Sequence, residues 1–483
     1  MSEVKGAGRI EAELESGVLS MTEVVSQSVA SVSPTAVIGA LLVFVFGTSG
    51  AGSWLIWLIA TAVMVLTGVA ISYLARRVNA TGGLYSLTAK AAHPALGYLL
   101  IWAAAIAYLV GSTGVMFQGV TFVENFLALP AFNAHVGAVV AALIGIMFIA
   151  IPAVLNYLGV KLSTRMMLIA EGVSITLIVV LMFVLVVKGT AHLNDHTQLH
   201  LQGLTMHKVL MGGALTIFAF GGFESSTVFG REAKDPGRMI PTAVIGSVLI
   251  SGILFALCSY IIYSVIDHPG SGLANSSDPL FDTARLAGMS WLGYVVSIGV
   301  IISVLSILIG IYASGSRFVM TLSRDRILPS RMGSVSARHT PFWGIVVLLI
   351  FNGVPLLIVT LGGLNVGNAF GDFANFGGWG TAVMYIITCI AVFGLAIVKR
   401  SRTAVIIASI LAAAAMIYGF YTNYHPFPEF PENVWLTIFS VTMGVAILSC
   451  GLLMAFKPGV LRAIGSSART ASGTGITATS EQL

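Results

Sequence analysis

Runs of about 20 apolar residues recur from one end of this chain to the other, each long enough to cross a hydrocarbon core of about 30 Å. They give a 483-residue sequence that is 57% hydrophobic and 9% charged, with a mean hydropathy of +0.95, a composition foreign to soluble domains. In lipid, backbone N–H and C=O groups must be satisfied within the spanning element, which leaves helices and closed barrels. A barrel would show short alternating segments, so an all-α polytopic membrane protein is predicted. Twelve transmembrane helices are expected, at about Leu19 to Gly47, Trp54 to Ala75, Leu96 to Leu127, Val136 to Leu155, Met166 to Val187, Val209 to Phe229, Ile240 to Val265, Trp291 to Leu322, Phe342 to Leu361, Asn375 to Val398, Ala404 to Tyr421 and Val434 to Ala455. The third and eighth are long enough to require tilt.

Placing the N-terminus inside puts all but three of the 24 lysines and arginines on one side, the exceptions being Lys188, Lys208 and Arg285. By the positive-inside rule this predicts a multi-pass protein of the cell membrane with both termini cytoplasmic. The basic pI of 9.1 is then an orientation signal, and the bilayer rather than nucleic acid is the expected partner. Cys258, Cys389 and Cys450 fall inside apolar runs and read as small buried hydrophobes. Residues 1–18 are predicted to be a cytoplasmic segment, too polar and acidic for a cleavable signal peptide; 19–456 a transmembrane domain; and 457–483, rich in Ser, Thr and Gly, a disordered cytoplasmic tail.

Two spans are interrupted. In the sixth, Phe218-Ala219-Phe220-Gly221-Gly222-Phe223-Glu224 places paired glycines and a carboxylate in an apolar run. Glycine costs a helix about 1 kcal/mol against alanine, and an intramembrane acid costs several more. Such a break is tolerated where it lines a cavity, and its exposed backbone groups can hold a small polar solute at the membrane midplane. Close packing of two helices on the glycines is the alternative. In the first span, Val32-Ser33-Pro34-Thr35-Ala36 is the second interruption, because Pro34 removes an i to i−4 hydrogen bond. A break opening each half suggests inverted repeats that share a midplane site.

Four stretches follow one another over about the first 345 residues: Ser33-Pro34-Thr35-Ala36; Thr81-Gly82-Gly83-Leu84-Tyr85-Ser86; Phe218 to Glu224 continuing through Glu232-Ala233-Lys234-Asp235-Pro236 to Ile240-Pro241; and Ser316-Arg317, Arg324-Asp325-Arg326, Leu328-Pro329 and Thr340-Pro341. In that order and spacing they resemble the amino acid/polyamine/organocation (APC) superfamily of permeases, in its bacterial amino acid permease branch. The resemblance implies a LeuT-like fold, five spans plus five in inverted repeat (about 19–187 and 209–398) with two extra helices at about 404–455. It implies that the broken spans hold the substrate through main-chain atoms, its carboxylate at Ser33, Pro34, Thr35, Ala36 and Val37 and its amine at Phe218, Phe220, Gly221 and Gly222, with Phe218 as an aromatic gate. Many proton-coupled relatives carry a lysine in span five, and counting from Gly159-Val160-Lys161 that place is Ser174, so the coupling ion stays open. Glu171, one turn earlier, is either a proton carrier or a hydrogen-bonded packing group. Sodium would instead need the hydroxyls of Ser174, Ser314 and Ser316, which in membrane helices more often bond back to their own helix.

Glu224 reads as a gate acid or as a structural one. Tyr108 in span three and Asn375 with Phe376 at the start of span ten lie at depths where relatives shape side-chain selectivity, with helix packing as the default. His192, His196 and His200 stand four apart in an outer loop and read as solvated polar residues. Glu232, Lys234, Asp235 and Arg238, with Arg324, Asp325 and Arg326, form two charge clusters that either pair across an inner gate or solvate helix ends. The chain has no Gly-x-x-x-x-Gly-Lys, His-Glu-x-x-His or Gly-x-Ser-x-Gly stretch, which argues against ATP drive and against an enzyme; no cofactor or metal is expected. The predicted function is secondary active transport of an amino acid, with a lean to neutral ones, by proton-coupled alternating access. The alternatives are an amino acid or polyamine exchanger and a cationic amino acid or polyamine permease.

Overall fold

The computed structural model describes residues 13–193, 196–266, 276–425, 427–430, 433–467 and 469–470, with the side chains of Ala214, Leu215, Phe218, Ile266, Arg469 and Thr470 outside the description. Among the described residues ten segments are long and apolar enough to cross a membrane. The first of these, Met21–Ala75, holds three helices: α1 (Met21–Val32), α2 (Pro34–Ser49) and α3 (Ser53–Ala75). Ser20 opens α1 with a reciprocal capping box to Glu23, which satisfies amide donors that a helix start leaves open. Ser33 then turns left-handed at φ +51° and separates α1 from α2. Pro34, lacking an N–H, suits the first position of the new helix.

Helix α4 (Leu84–Ala91) precedes a long third span made of α5 (Pro94–Ala105), one π-helical turn (Ile106–Val110) and α6 (Gly111–Ala128). Next come α7 (Ala138–Leu158), α8 (Val160–Val187) and the single turn α9 (His196–Leu199). The sixth span is broken too: α10 (Met206–Phe218) stops short, residues 219–224 are irregular, and a 3-10 turn (Ser225–Phe229) follows. Helix α11 (Pro236–Ile266), the short α12 (Pro279–Leu286), α13 (Ser290–Arg324), α14 (Phe342–Leu361), α15 (Val366–Val398), α16 (Thr403–Tyr421) and α17 (Asn433–Phe456) complete the bundle. Helix α15 begins nine residues before the expected Asn375 because Asn365 caps it, accepting from the Asn368 amide at 2.8 Å; the polar stretch through Asp372 hides this start from hydropathy.

The two breaks cross at the centre. Gly222 has φ +94°, and a Cβ there would lie 2.8 Å from the Ser31 carbonyl oxygen. Hydroxyl pairs seal the crossing, Ser28 donating to Ser226 at 2.8 Å and Ser225 Oγ lying 2.9 Å from Ser31 Oγ. A second backbone approach joins α6 to α15, where a Cβ on Gly377 would lie 2.4 Å from the Gly111 Cα.

Residues 457–467 and 469–470 depart from the predicted disorder, while 471–483 of that tail and 1–12 of the expected N-terminal segment lie outside the described residues. Helix α18 (Pro458–Ala463) leads to a strand, β2 (Arg469–Thr470), that pairs antiparallel with β1 (Val78–Asn79). The cause is local: Leu461 and Ile464 are buried, and the Gly465 and Ser467 amides each donate to the Asp325 carboxylate at 2.9 Å. Two apolar residues among small polar ones are a weak sequence signal for docking.

Gly377→Ala is expected to lower stability by about 1–3 kcal/mol through overpacking. Gly111→Ala, whose Cβ would sit 3.5 Å from the Gly377 Cα, should melt near the wild-type temperature; thermal unfolding of the two purified variants checks the contrast.

Candidate functional site

A cavity of about 510 Å³ lies against the crossing. Its wide end reaches Thr48 at the end of α2 and Thr422 and Asn423 beyond α16, where Thr48 is exposed. Its deep end reaches Ser31 and Val32 in the last turn of α1, before one break, and Ala219, Gly221 and Gly222 in the other. The walls between are mainly apolar or small, with Val37, Leu41, Ile307, Ile311, Phe370 and Trp379 among them.

At the deep end stands Glu224, buried to 1%. The Tyr385 hydroxyl of α15 donates to its carboxylate, and the Gly222 amide donates to the same phenol oxygen at 3.2 Å, so the glycine break and the acid are tied through one tyrosine. Tyr108 brings its hydroxyl toward Glu224 without closing a hydrogen bond in this conformation. It stands on the π-helical turn of the third span; such turns widen a helix by one residue and recur at functional sites. The cavity floor therefore offers one carboxylate, one uncommitted phenol, the last turn of α1 and the unwound Gly221-Gly222 backbone.

A second buried carboxylate lies outside the cavity. Glu171 on α8 is 3% exposed; its Oε2 is 2.9 Å from Ser303 Oγ on α13 and 3.2 Å from Ser33 Oγ in the first break. The Thr35 amide also donates to it, while the Ala36 amide donates to Ser303 Oγ at 3.2 Å. The open N-terminus of α2, an anion-favouring site, is thus filled by the chain's own acid. One residue ties α8, α13 and the first break together.

The end of the bundle opposite the cavity mouth is closed. Arg317 on α13 makes a two-pronged pair with Glu232, Nε to Oε2 at 2.7 Å and a terminal nitrogen to Oε1 at 2.6 Å, with both residues nearly fully buried. The segment entering α1 runs beside the segment leaving the sixth span, Leu19 donating to the Glu232 carbonyl at 2.9 Å. Tyr85 of α4 donates to Asp325 at 2.5 Å. Burial, and then the adjacent carboxylate, push the Tyr85 hydroxyl well above its ordinary range, so it keeps the proton it donates.

Of the residues singled out from sequence, Val37, Tyr108, Gly221, Gly222, Glu224 and Asn375 line the cavity. Ser33 and the Thr35 and Ala36 amides face Glu171 and Ser303 instead, and Pro34 starts α2 beside them. Phe220 is buried against Trp57 and Phe255, and Phe376 packs on Trp379 and Phe439. Phe218 ends α10, and its side chain lies outside the described residues. Ser174 bonds the Ala170 and Gly299 carbonyls, each at 2.8 Å. Ser314 lies near Gln27 and Ser316 bonds back to Ala313, so these three hydroxyls do not converge. His196 and His200 stack at 5.8 Å. Across the closed end Glu232 pairs with Arg317, not with the 324–326 cluster. Sequence reasoning missed Ser303, Tyr385 and Gln118, of which the last lines the cavity; all three are polar groups in apolar spans, the signal that singled out Glu171.

Broken helices around a cavity, inside a bundle of membrane-length helices, define a membrane permease architecture. The chain belongs to the amino acid permease family, whose profile matches residues 24–448, and so to the APC superfamily. It is 29% identical to an uncharacterized transporter of Mycobacterium tuberculosis, over 61% of this chain and 63% of that protein's length. It is 25% identical to a branched-chain amino acid permease of Bacillus subtilis, over 64% of this chain and 69% of the relative, and 25% identical to a vacuolar cationic amino acid transporter of Arabidopsis thaliana, over 58% and 48%. Family membership points to a transporter rather than an enzyme.

Removing one partner of a buried ion pair leaves the other charge uncompensated and costs about 3–5 kcal/mol. Arg317→Met is expected to lose that much stability, and the double variant with Glu232→Leu to regain most of it; melting curves of the three purified proteins decide, and a single variant as stable as wild type would refute the account.

Proposed function

We propose that this chain is a secondary transporter that carries an amino acid across the cell membrane by alternating access, with twelve spans, a five-plus-five inverted repeat and both termini cytoplasmic. The observation that carries the reading is the cavity that ends where two broken spans cross, on the last turn of α1 and the unwound Gly221-Gly222 backbone. Backbone groups freed at a midplane break recognise the amino and carboxylate groups common to all amino acids. The pairing of Leu19 with Glu232 and the buried Arg317–Glu232 bridge support a conformation closed to the cytoplasm and open outward.

The apolar upper walls support neutral, aliphatic side chains, and the branched-chain permease among the relatives is consistent with that. Glu224 supports the second reading, a cationic amino acid or polyamine, because a carboxylate at the floor suits an additional amine. The donors at Thr35 and Ala36 are engaged by Glu171 and Ser303, and the Val37 amide by the Ser33 carbonyl at 3.1 Å, so a substrate carboxylate at the first break has to displace one of these partners.

Coupling to protons is assigned to Glu171. Ionised, it accepts from Ser33, Ser303 and the Thr35 amide and pins the first break to α8 and α13. Protonated, it loses acceptor capacity and the break is released to move against α13. Proteoliposomes supplied with labelled leucine, lysine and putrescine, with and without an acidic exterior or internal amino acid, test the reading. Gradient-stimulated leucine uptake is expected; stimulation only by internal amino acid would make the protein an exchanger, and no flux of any of the three would overturn transport. Glu171→Gln should flatten the pH dependence of uptake, and an unchanged profile would return Glu171 to a packing role. Gly222→Leu should insert normally but lose substrate binding, measured by labelled-substrate equilibrium binding, because a side chain at φ +94° would drive into Ser31.

A further inference from the structure

Two stretches more than three hundred residues apart in sequence meet at one cleft of about 680 Å³. Arg76 and Arg77 follow the end of α3, and Lys399, Arg400 and Arg402 form the turn between α15 and α16; all five line the cleft, and no aspartate or glutamate does. Among the described residues none of the five enters an ion pair. Positive charge at the end of a span is the ordinary orientation signal, and cations suit helix C-termini. Neither explains why cations from two distant turns converge on a shared cavity without a counter-charge.

The cleft is also built. Arg77 donates to the Tyr73 carbonyl at 2.8 Å and lies 3.5 Å over the Tyr73 ring. The Tyr73 hydroxyl is hydrogen-bonded to Ser401, which locks the two stretches together. Ser72, 5% exposed, lines the cleft with a hydroxyl that has no partner, and a buried unpartnered polar atom asks for a ligand. Val69, Ile245 and Val405 form the remaining wall. Guanidinium groups bind phosphate oxygens in pairs, and basic clefts between helices at head-group depth take anionic lipid phosphates.

We propose that this cleft binds the phosphate head group of an anionic phospholipid, with an acyl chain along Val69, Ile245 and Val405. The site lies apart from the amino acid cavity and shares no residue with it. A bound phosphate cross-links α3 to the α15–α16 turn, so the lipid braces one half of the bundle against the other.

The test titrates the purified full chain in detergent with phosphatidylglycerol, cardiolipin, phosphatidylcholine and inorganic phosphate, reading native mass spectra and melting temperature. Retained adducts and a raised melting temperature are expected with the two anionic lipids only. In Arg76→Gln/Arg400→Gln/Arg402→Gln the apparent affinity for phosphatidylglycerol should fall by at least about tenfold, since each surface cation contributes to anionic-lipid attraction. Should that variant misfold, the single changes Lys399→Gln and Arg400→Gln should each give a smaller loss of affinity. Equal binding of phosphatidylcholine, or variants that bind like wild type, would overturn the proposal. A shift from inorganic phosphate equal to that from the lipids would assign the cleft to a soluble phosphate and overturn the lipid reading.

Discussion

Gly222 rests its backbone on that of Ser31, and the buried chemistry of this protein is laid out around that contact. Left-handed backbone at Ser33 and at Gly222 interrupts two spans where they cross, and the serine hydroxyls beside them bind one break to the other. A continuous helix in either span would consume the carbonyls and amides at the cavity floor and would hold the chains too far apart to touch. In hydrocarbon such an interruption survives only against protein or a polar cavity. Here the crossing supplies protein on one side and the cavity lies on the other.

The buried charges divide by what they join. Glu171 holds the first break to α8 and α13, Glu224 is held to the second break through Tyr385, and Arg317 with Glu232 seals one end of the bundle. Each acid is provided with donors from a different helix, which offsets the cost of placing it in a low-dielectric interior. Such pairings resist being half-broken, so they favour rearrangement as units.

Much of this was legible in the sequence, because membrane-length apolar runs, a proline after serine and a Gly-Gly-x-Glu break each have few physical solutions. The glycines and Glu224 were singled out in this way, and Tyr108 and Asn375 through the resemblance to the permease superfamily. Others were hidden for definite reasons. Thr35 and Ala36 donate away from the cavity because Glu171 and Ser303 take up their amides across contacts between residues well over a hundred positions apart. The start of α15 was obscured by Gly367, Asn368 and Asp372, which lower its hydropathy although Asn365 caps it. The docking of residues 458–470 depends on Asp325, whose carboxylate, buried beneath Tyr85, cannot be told by sequence from its exposed charged neighbours.

That docking bears on how the protein is made. The seal at the closed end draws on residues near 17, 80, 232 and 325, and then on Gly465 and Ser467. All but the last are synthesised early enough to assemble while translation continues. Asp325 spends that interval without two of its amide donors, and it receives them only after about 140 further residues have been made.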